Sequence, residues 1–213
     1  MRPWLPFRNV KESRIERPTV LPEVNTKILL QLGFDMLGQC QYESANEAFE
    51  KTLEVNPNEA MALYGLATSR SHQGKHDEAI ELFDKALATD PQLKSAYHGL
   101  AFIFSLQGRT EEEMECYRRV LSFQPDCAFT HVTLGHTLAQ QNQPHKAVNA
   151  FREALTINPD HVIVLVSMGK NLAKTGSTLQ AYNVFQRVLK LDPDNIQALK
   201  SVGEIESSLR FAA

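Results

Sequence analysis

The sequence predicts an all-α solenoid of five helix–turn–helix units followed by a C-terminal capping helix. Proline recurs every 34 residues, at positions 57, 91, 125, 159 and 193. Residues that tolerate the left-handed backbone conformation recur at the same interval, namely Gly74, Gly108, Asn142 and Gly176. Apolar side chains follow helical spacing between these two signals. Because the proline ends one helix and the left-handed residue ends another, each interval holds two helices.

The prolines divide the chain into an extension of residues 1–25, five units and a tail. The units are 26–59, 60–93, 94–127, 128–161 and 162–195. Asn or Asp follows most of the prolines, and we expect these side chains to cap the next helix: Asn58, Asp126, Asp160 and Asp194. Residues 196–213 begin like a sixth unit and then become polar. We expect them to form a capping helix that covers the last apolar face of the array.

The two helices of a unit differ in how their apolar side chains are distributed. In the first helix these side chains occupy two roughly opposite faces. In the second helix only one face is apolar and the remainder is charged, as at Glu47, Glu50, Lys51 and Glu54. The first helix is therefore expected to be sandwiched or to face a ligand, and the second to lie on the outside.

Small and aromatic residues also align between the units. The first helices share the column Gly33, Ala67, Ala101, Gly135 and Gly169, and the second helices share the aromatic column Phe49, Phe83, Tyr117, Phe151 and Phe185. Over residues 26–195 this pattern resembles the tetratricopeptide repeat (TPR), a helix–turn–helix family with a 34-residue period. The resemblance implies a right-handed superhelix whose first helices line a concave groove.

Two units depart from the TPR pattern. Glu113 stands where the other units have alanine. Residues Thr110 to Glu113 have the pattern of a capping box, which would explain the glutamate. The other expectation is that the third unit is locally splayed. In the first unit Cys40 replaces glycine at the turn and Gly38 lies two residues earlier. This arrangement predicts a shifted turn in the first unit.

We predict that the concave groove binds a segment of a partner protein, either an amphipathic helix or an extended peptide. The predicted groove residues are Leu30, Phe34, Met61, Tyr64, Thr68, His72, His98, Phe102, Phe129, Val132, His136, Ile163, Val166 and Lys170. Packing between neighbouring repeats is the alternative role, above all for the aliphatic side chains. Tyr64, Phe102 and Phe129 are the predicted anchors, because aromatic side chains dominate protein interfaces.

The extension of residues 1–25 is the least repeat-like part of the chain. Its four prolines prevent a continuous helix, yet it carries Trp4, Leu5 and Phe7. One hypothesis is a disordered leader. The other is a docking motif that enters its own groove, the groove of a second copy or another protein, and a second copy would make the chain a homo-oligomer.

Composition argues against several functional classes. The net charge of −3 does not suggest a nucleic-acid partner, and the longest apolar stretches are too short to span a membrane. Three cysteines without a C-x-x-C pair favour a reducing, cytoplasmic location. The positions at which some TPR proteins grip a terminal carboxylate hold unsuitable side chains, namely Leu30, Phe34, Gly65, Ser95 and Gly99.

Neither a catalytic motif nor a metal site is predicted. His72 and His76 are four residues apart, but Gly74 interrupts the helix between them. No cofactor is expected. The sequence thus predicts a non-enzymatic scaffold or adaptor. The alternatives are a self-assembling, organelle-associated coat, an accessory subunit of a secretion or envelope-assembly machine and, much less favoured, an enzyme.

Overall fold

A computed structural model describes residues 22–211, which form eleven α-helices and no strand. The first helices of the five units are α1 (Pro22–Gly38), α3 (Ala60–His72), α5 (Lys94–Leu106), α7 (Ala128–Gln140) and α9 (Val162–Lys174). The second helices are α2 (Tyr42–Val55), α4 (His76–Thr89), α6 (Thr110–Phe123), α8 (Pro144–Ile157) and α10 (Thr178–Leu191), and α11 (Ile196–Phe211) follows.

Each helix packs on the next one along the chain. The first helices of neighbouring units also contact one another, for example α1 with α3 and α3 with α5. The result is a solenoid of five helix pairs ended by α11, as predicted. None of the helices between residues 22 and 211 has the length and hydrophobicity that a membrane crossing needs.

The turn within every unit falls at the same place in the 34-residue period, at a residue with positive φ. The φ angles are 59° at Cys40, 53° at Asn142 and 70° at Gly108. The first unit closes this turn with hydrogen bonds from the Gln41 amide to the Met36 carbonyl (2.9 Å) and from the Cys40 amide to the Leu37 carbonyl (3.0 Å). The predicted shift of the first turn is therefore wrong, because these two backbone hydrogen bonds fix the left-handed residue at the same point for cysteine as for glycine.

The predicted helix caps are also wrong. The N-cap residues of α3, α7 and α9 are Glu59, Cys127 and His161, one position after the expected Asn58, Asp126 and Asp160, and none of them makes a side-chain cap hydrogen bond. At α11 the residue after the expected Asp194 acts instead, since Asn195 Oδ1 accepts from the Ala198 amide at 3.1 Å. The turn after each proline is one residue longer than expected. Side chains that precede the proline stabilise this turn in two places, where Asn56 Oδ1 accepts from the Asn58 amide and Asp90 Oδ1 from the Gln92 amide.

The core of each unit is organised around the aromatic side chain of its second helix. Phe49, Phe83, Phe151 and Phe185 are fully buried. Glycine backbones lie directly on these rings: a Cβ placed on Gly65 or Gly99 would fall 2.3 Å from the Cζ atom of Phe49 or Phe83 respectively. The neighbouring first helix can approach so closely only where a side chain is absent.

Glu113 does not form a capping box, since the N-cap of its helix is Arg109 and no side chain bonds there. Its carboxylate is only 5% exposed and accepts hydrogen bonds from the hydroxyls of Thr137 (2.7 Å) and Tyr117 (3.3 Å). Thr137 belongs to α7, so the glutamate joins the third unit to the fourth. These two donors compensate for the cost of burying a polar group where other units have alanine.

Two glycine-to-alanine substitutions should change stability in opposite directions, because Gly65 lies against a phenylalanine ring whereas Gly203 has open space beside it. Gly65→Ala would force the Phe49 ring to move and should destabilise the protein by about 1–3 kcal/mol. Gly203→Ala, in α11, meets no atom within 4 Å and should stabilise it by about 0.5–1 kcal/mol. Urea unfolding followed by circular dichroism measures both values. A Gly65→Ala variant as stable as the native protein would contradict the packing described here.

Candidate functional site

The first helices α3, α5 and α7 together form a concave cleft at the middle of the solenoid, which we call the central cleft. Its volume is about 380 Å³. The lining residues are Tyr64, Thr68, Ser71, His72, Phe83, Ser95, His98, Gly99, Phe102 and Phe129. This surface is therefore aromatic, with hydroxyl and imidazole groups between the rings.

Phe102 and Phe129 are the exposed aromatic side chains of the central cleft. They are 53% and 61% exposed, and neither belongs to a core cluster. Phe129 packs its ring against that of His98, with 5.1 Å between centroids. Because the two phenylalanines contribute little to the packed interior, they remain available to a partner.

Tyr64 differs from these two rings, although all three share the predicted groove. It is half-buried, and its ring lies 6.1 Å from Phe34 and 6.0 Å from Phe83. Tyr64 thus belongs partly to the core and forms the floor of the cleft.

His98 is held in place by a chain of hydrogen bonds. Its Nε2 atom lies 3.0 Å from the hydroxyl of Thr130, which in turn donates to the sulfur of Cys127 at 3.1 Å. Thr130 therefore links the imidazole of His98 to Cys127 and holds the ring in its orientation. Burial lowers the pKa of His98, and the positive charge of Lys94 lowers it further. The imidazole is therefore neutral at neutral pH.

A second concave pocket, the end cleft, lies between α9 and α11. It has a volume of about 350 Å³ and is lined by Val162, Ile163, Val166, Ser167, Lys170, Asp192, Asp194, Asn195, Ile196 and Gln197. Ile163 is 67% exposed, whereas Val166 is 7% exposed and belongs to the core cluster around Phe185. The end cleft thus offers two exposed apolar side chains, Ile163 and Ile196, and charges of both signs.

The remaining predicted groove residues lie outside the two clefts. Leu30 and Phe34 pack on the core of the first unit, where the Phe34 ring meets that of Phe49 edge-on at 5.1 Å. Met61 is exposed, and Val132 packs on the core of the fourth unit. His136 lies with its ring 5.1 Å from that of Phe151, and burial lowers the pKa of this imidazole.

The predicted docking motif of Trp4, Leu5 and Phe7 falls outside residues 22–211, the part of the chain that the structure describes.

Two features of the described residues bear on catalysis and metal binding. Between residues 22 and 211 no three His, Cys, Asp or Glu side chains cluster in a way that could hold a metal ion. Cys116 and Cys127 are buried, and burial together with the charge of Asp84 raises the pKa of the Cys116 thiol to about 12. Cys116 is consequently protonated and unreactive at neutral pH.

Comparison with known families identifies the repeats. Models described as tetratricopeptide repeat match residues 35–94 and residues 70–128 and 138–202. The chain belongs to the tetratricopeptide-repeat family. None of the curated proteins compared matches the sequence.

Solved TPR structures share the fold at low sequence identity. PilF of Pseudomonas aeruginosa superposes with a TM-score of 0.72 at 21% identity, covering 89% of this chain and 86% of that one. MamA gives 0.69 at 20% identity, covering 80% and 93%. YrrB, a TPR protein with an unusual peptide-binding site, gives 0.67 at 18% identity, covering 85% and 98%. The predicted all-α, right-handed TPR solenoid is confirmed.

The structure adds residues to the central cleft that the sequence reasoning omitted. Ser95 occupies the same place in its TPR unit as Met61 and Phe129, so the repeat register is the signal that points to it. Ser71 lines the same cleft. Phe83 is a core residue whose ring reaches the floor of the cleft through the gap left by Gly99. This last contact depends on tertiary packing.

The two half-buried imidazoles of His98 and His136 predict how stability depends on pH. The unfolded chain takes up a proton at each histidine near pH 6.5, whereas His98 and His136 in the folded protein, with lowered pKa values, do so only at lower pH. Their stabilising contribution is therefore present above about pH 6.5 and is lost as the pH falls below it.

We expect the urea midpoint to fall between about pH 7.5 and about pH 5.5, and to fall less in the double variant His98→Gln/His136→Gln. His145→Gln, at an exposed position on α8, serves as the control and should behave like the native protein. An identical decrease of the urea midpoint in the native protein and in the double variant would show that these imidazoles do not cause the pH dependence of stability.

Proposed function

We propose that this TPR protein is a non-enzymatic scaffold whose concave groove binds a peptide or helical segment of a partner protein. The observation that carries the proposal is the pair Phe102 and Phe129, which stand more than half exposed in one cleft with Tyr64 at its floor. Burying a phenylalanine side chain is worth about 1.5–3 kcal/mol, so two such rings supply a substantial part of the affinity of a peptide complex.

The shape and chemistry of the central cleft also favour a polypeptide ligand. The cleft is open and shallow rather than enclosed, and its walls are rigid first helices of three consecutive units. Aromatic rings next to hydroxyl groups suit the alternating apolar and polar groups of a peptide. Met61 and Ile163, which are also exposed, extend the apolar surface along the groove in both directions.

A cytoplasmic location is part of the proposal. All three cysteines, Cys40, Cys116 and Cys127, are free, and Cys40 is exposed. An exposed free thiol is typical of a reducing compartment.

The proposal predicts which side chains a bound peptide requires. Peptides selected on the full-length protein from a random phage-displayed library would be labelled and titrated by fluorescence polarisation. Phe102→Ala and Phe129→Ala should each weaken binding by about tenfold, which corresponds to about 1.4 kcal/mol. Tyr64 is unsuitable for this test because alanine there would leave a void between Phe34 and Phe83.

Ile157→Ala and Leu191→Ala are the matched controls, because these exposed apolar residues lie at the ends of the outer helices α8 and α10. Both control variants should bind like the native protein. If the phenylalanine variants also retain full affinity, or if the library yields no binding peptide, the groove is not the binding surface and the proposed function fails.

A further inference from the structure

Acidic residues are concentrated in the outer helices of the first three units. The outer helices α2, α4 and α6 contain four acidic residues each, for example Glu43 to Glu54 in α2 and Asp77 to Asp84 in α4. The first helices α3, α5, α7 and α9 contain none. Four of the five first helices therefore carry only neutral and basic side chains in a chain of net charge −3, whereas α1 contains Glu23 and Asp35.

The basic residues of α3 and α5 are not equally available. Arg70 is neutralised by the carboxylates of Glu50 at 3.3 Å and Glu78 at 3.5 Å. Among the side chains of residues 25–209, no carboxylate oxygen lies within 4.0 Å of the ammonium group of Lys94. Lys94 is thus an uncompensated positive charge at the first residue of α5.

Lys94 lies next to the central cleft. It precedes His98 by one helical turn, so the two side chains share a face of α5, and its charge contributes to the lowered pKa of His98. The adjacent residue, Ser95, lines the cleft, as does Ser71. Neither serine hydroxyl bonds to another residue in the part of the chain that the structure describes, so both are free to donate.

The end cleft does not show the same preference. Lys170 lines it together with Asp192 and Asp194, so both signs of charge meet the ligand there. No carboxylate is found among the residues that line the central cleft. Of the two clefts, only the central one therefore has a basic residue beside it and no carboxylate in its lining.

We propose that the segment bound in the central cleft carries a carboxylate side chain close to a large apolar one. The apolar side chain packs on Phe102 and Phe129, while the carboxylate lies near Lys94 and accepts a hydrogen bond from Ser95. A basic segment is disfavoured, because it would meet Lys94 without a counter-charge. This inference rests on the proposed function and adds the chemistry of the ligand.

The test uses the tightest-binding peptide selected on the full-length protein and a second synthetic version in which every Asp and Glu is replaced by Asn and Gln. The acidic peptide should bind the native protein about fivefold more tightly than its amide version at low salt, and added salt should reduce this difference. Lys94→Glu should abolish or reverse it. Glutamate is well tolerated at the first position of a helix, so the variant should fold.

Lys146→Glu is the matched control, since Lys146 is exposed and lies in the first turn of the outer helix α8. It should leave both affinities unchanged. Equal binding of the two peptides by the native protein, selected peptides without acidic residues, or equal effects of Lys94→Glu and Lys146→Glu would each overturn the inference.

Failure of the inference can be separated from failure of the proposed function. If Phe102→Ala weakens the binding of a peptide that needs no carboxylate, the groove does bind peptides and only the proposed chemistry of the ligand is wrong. If Phe102→Ala and Phe129→Ala have no effect on any selected peptide, the proposed function is wrong and the inference falls with it.

Discussion

Close contact between an aromatic ring of one helix and a side-chain-free backbone of its neighbour is the constraint on which the architecture depends. A pair of helices cannot bury its apolar surface alone, so each unit must pack on the next. Phe49 shows how this is done, since its buried ring touches both Gly33 of its own unit and Gly65 of the following one. The ring thereby fixes the distance between consecutive first helices.

The same constraint decides which side chains remain for function. One side of each first helix packs on the aromatic rings of the second helices, so the other side of the first helix forms the wall of a groove. Apolar side chains on that wall, such as Phe102 and Phe129, cannot reach the core and stay exposed. Acidic residues are concentrated on α2, α4 and α6, so the groove differs in charge as well as in polarity from the outer surface.

Sequence periodicity was enough to predict the paired helices and the turns at Gly74, Gly108, Asn142 and Gly176, because these depend on local spacing. It was not enough to place the caps, which follow the backbone path after each proline. Nor could it explain Glu113, whose partner Thr137 lies in the next unit. Tyr64 and Phe102 likewise lie on the same predicted helix face, and only the packing of Tyr64 against Phe34 and Phe83 distinguishes them.

Amide chemical-shift mapping by NMR, with and without a selected peptide, tests most directly whether the concave surface is the binding site. The account predicts that the largest shifts fall on α3, α5 and α7, around the central cleft, while the outer helices α4, α6 and α8 change little. Shifts concentrated on the outer helices or on α11 would contradict it and would place the binding surface elsewhere on the solenoid.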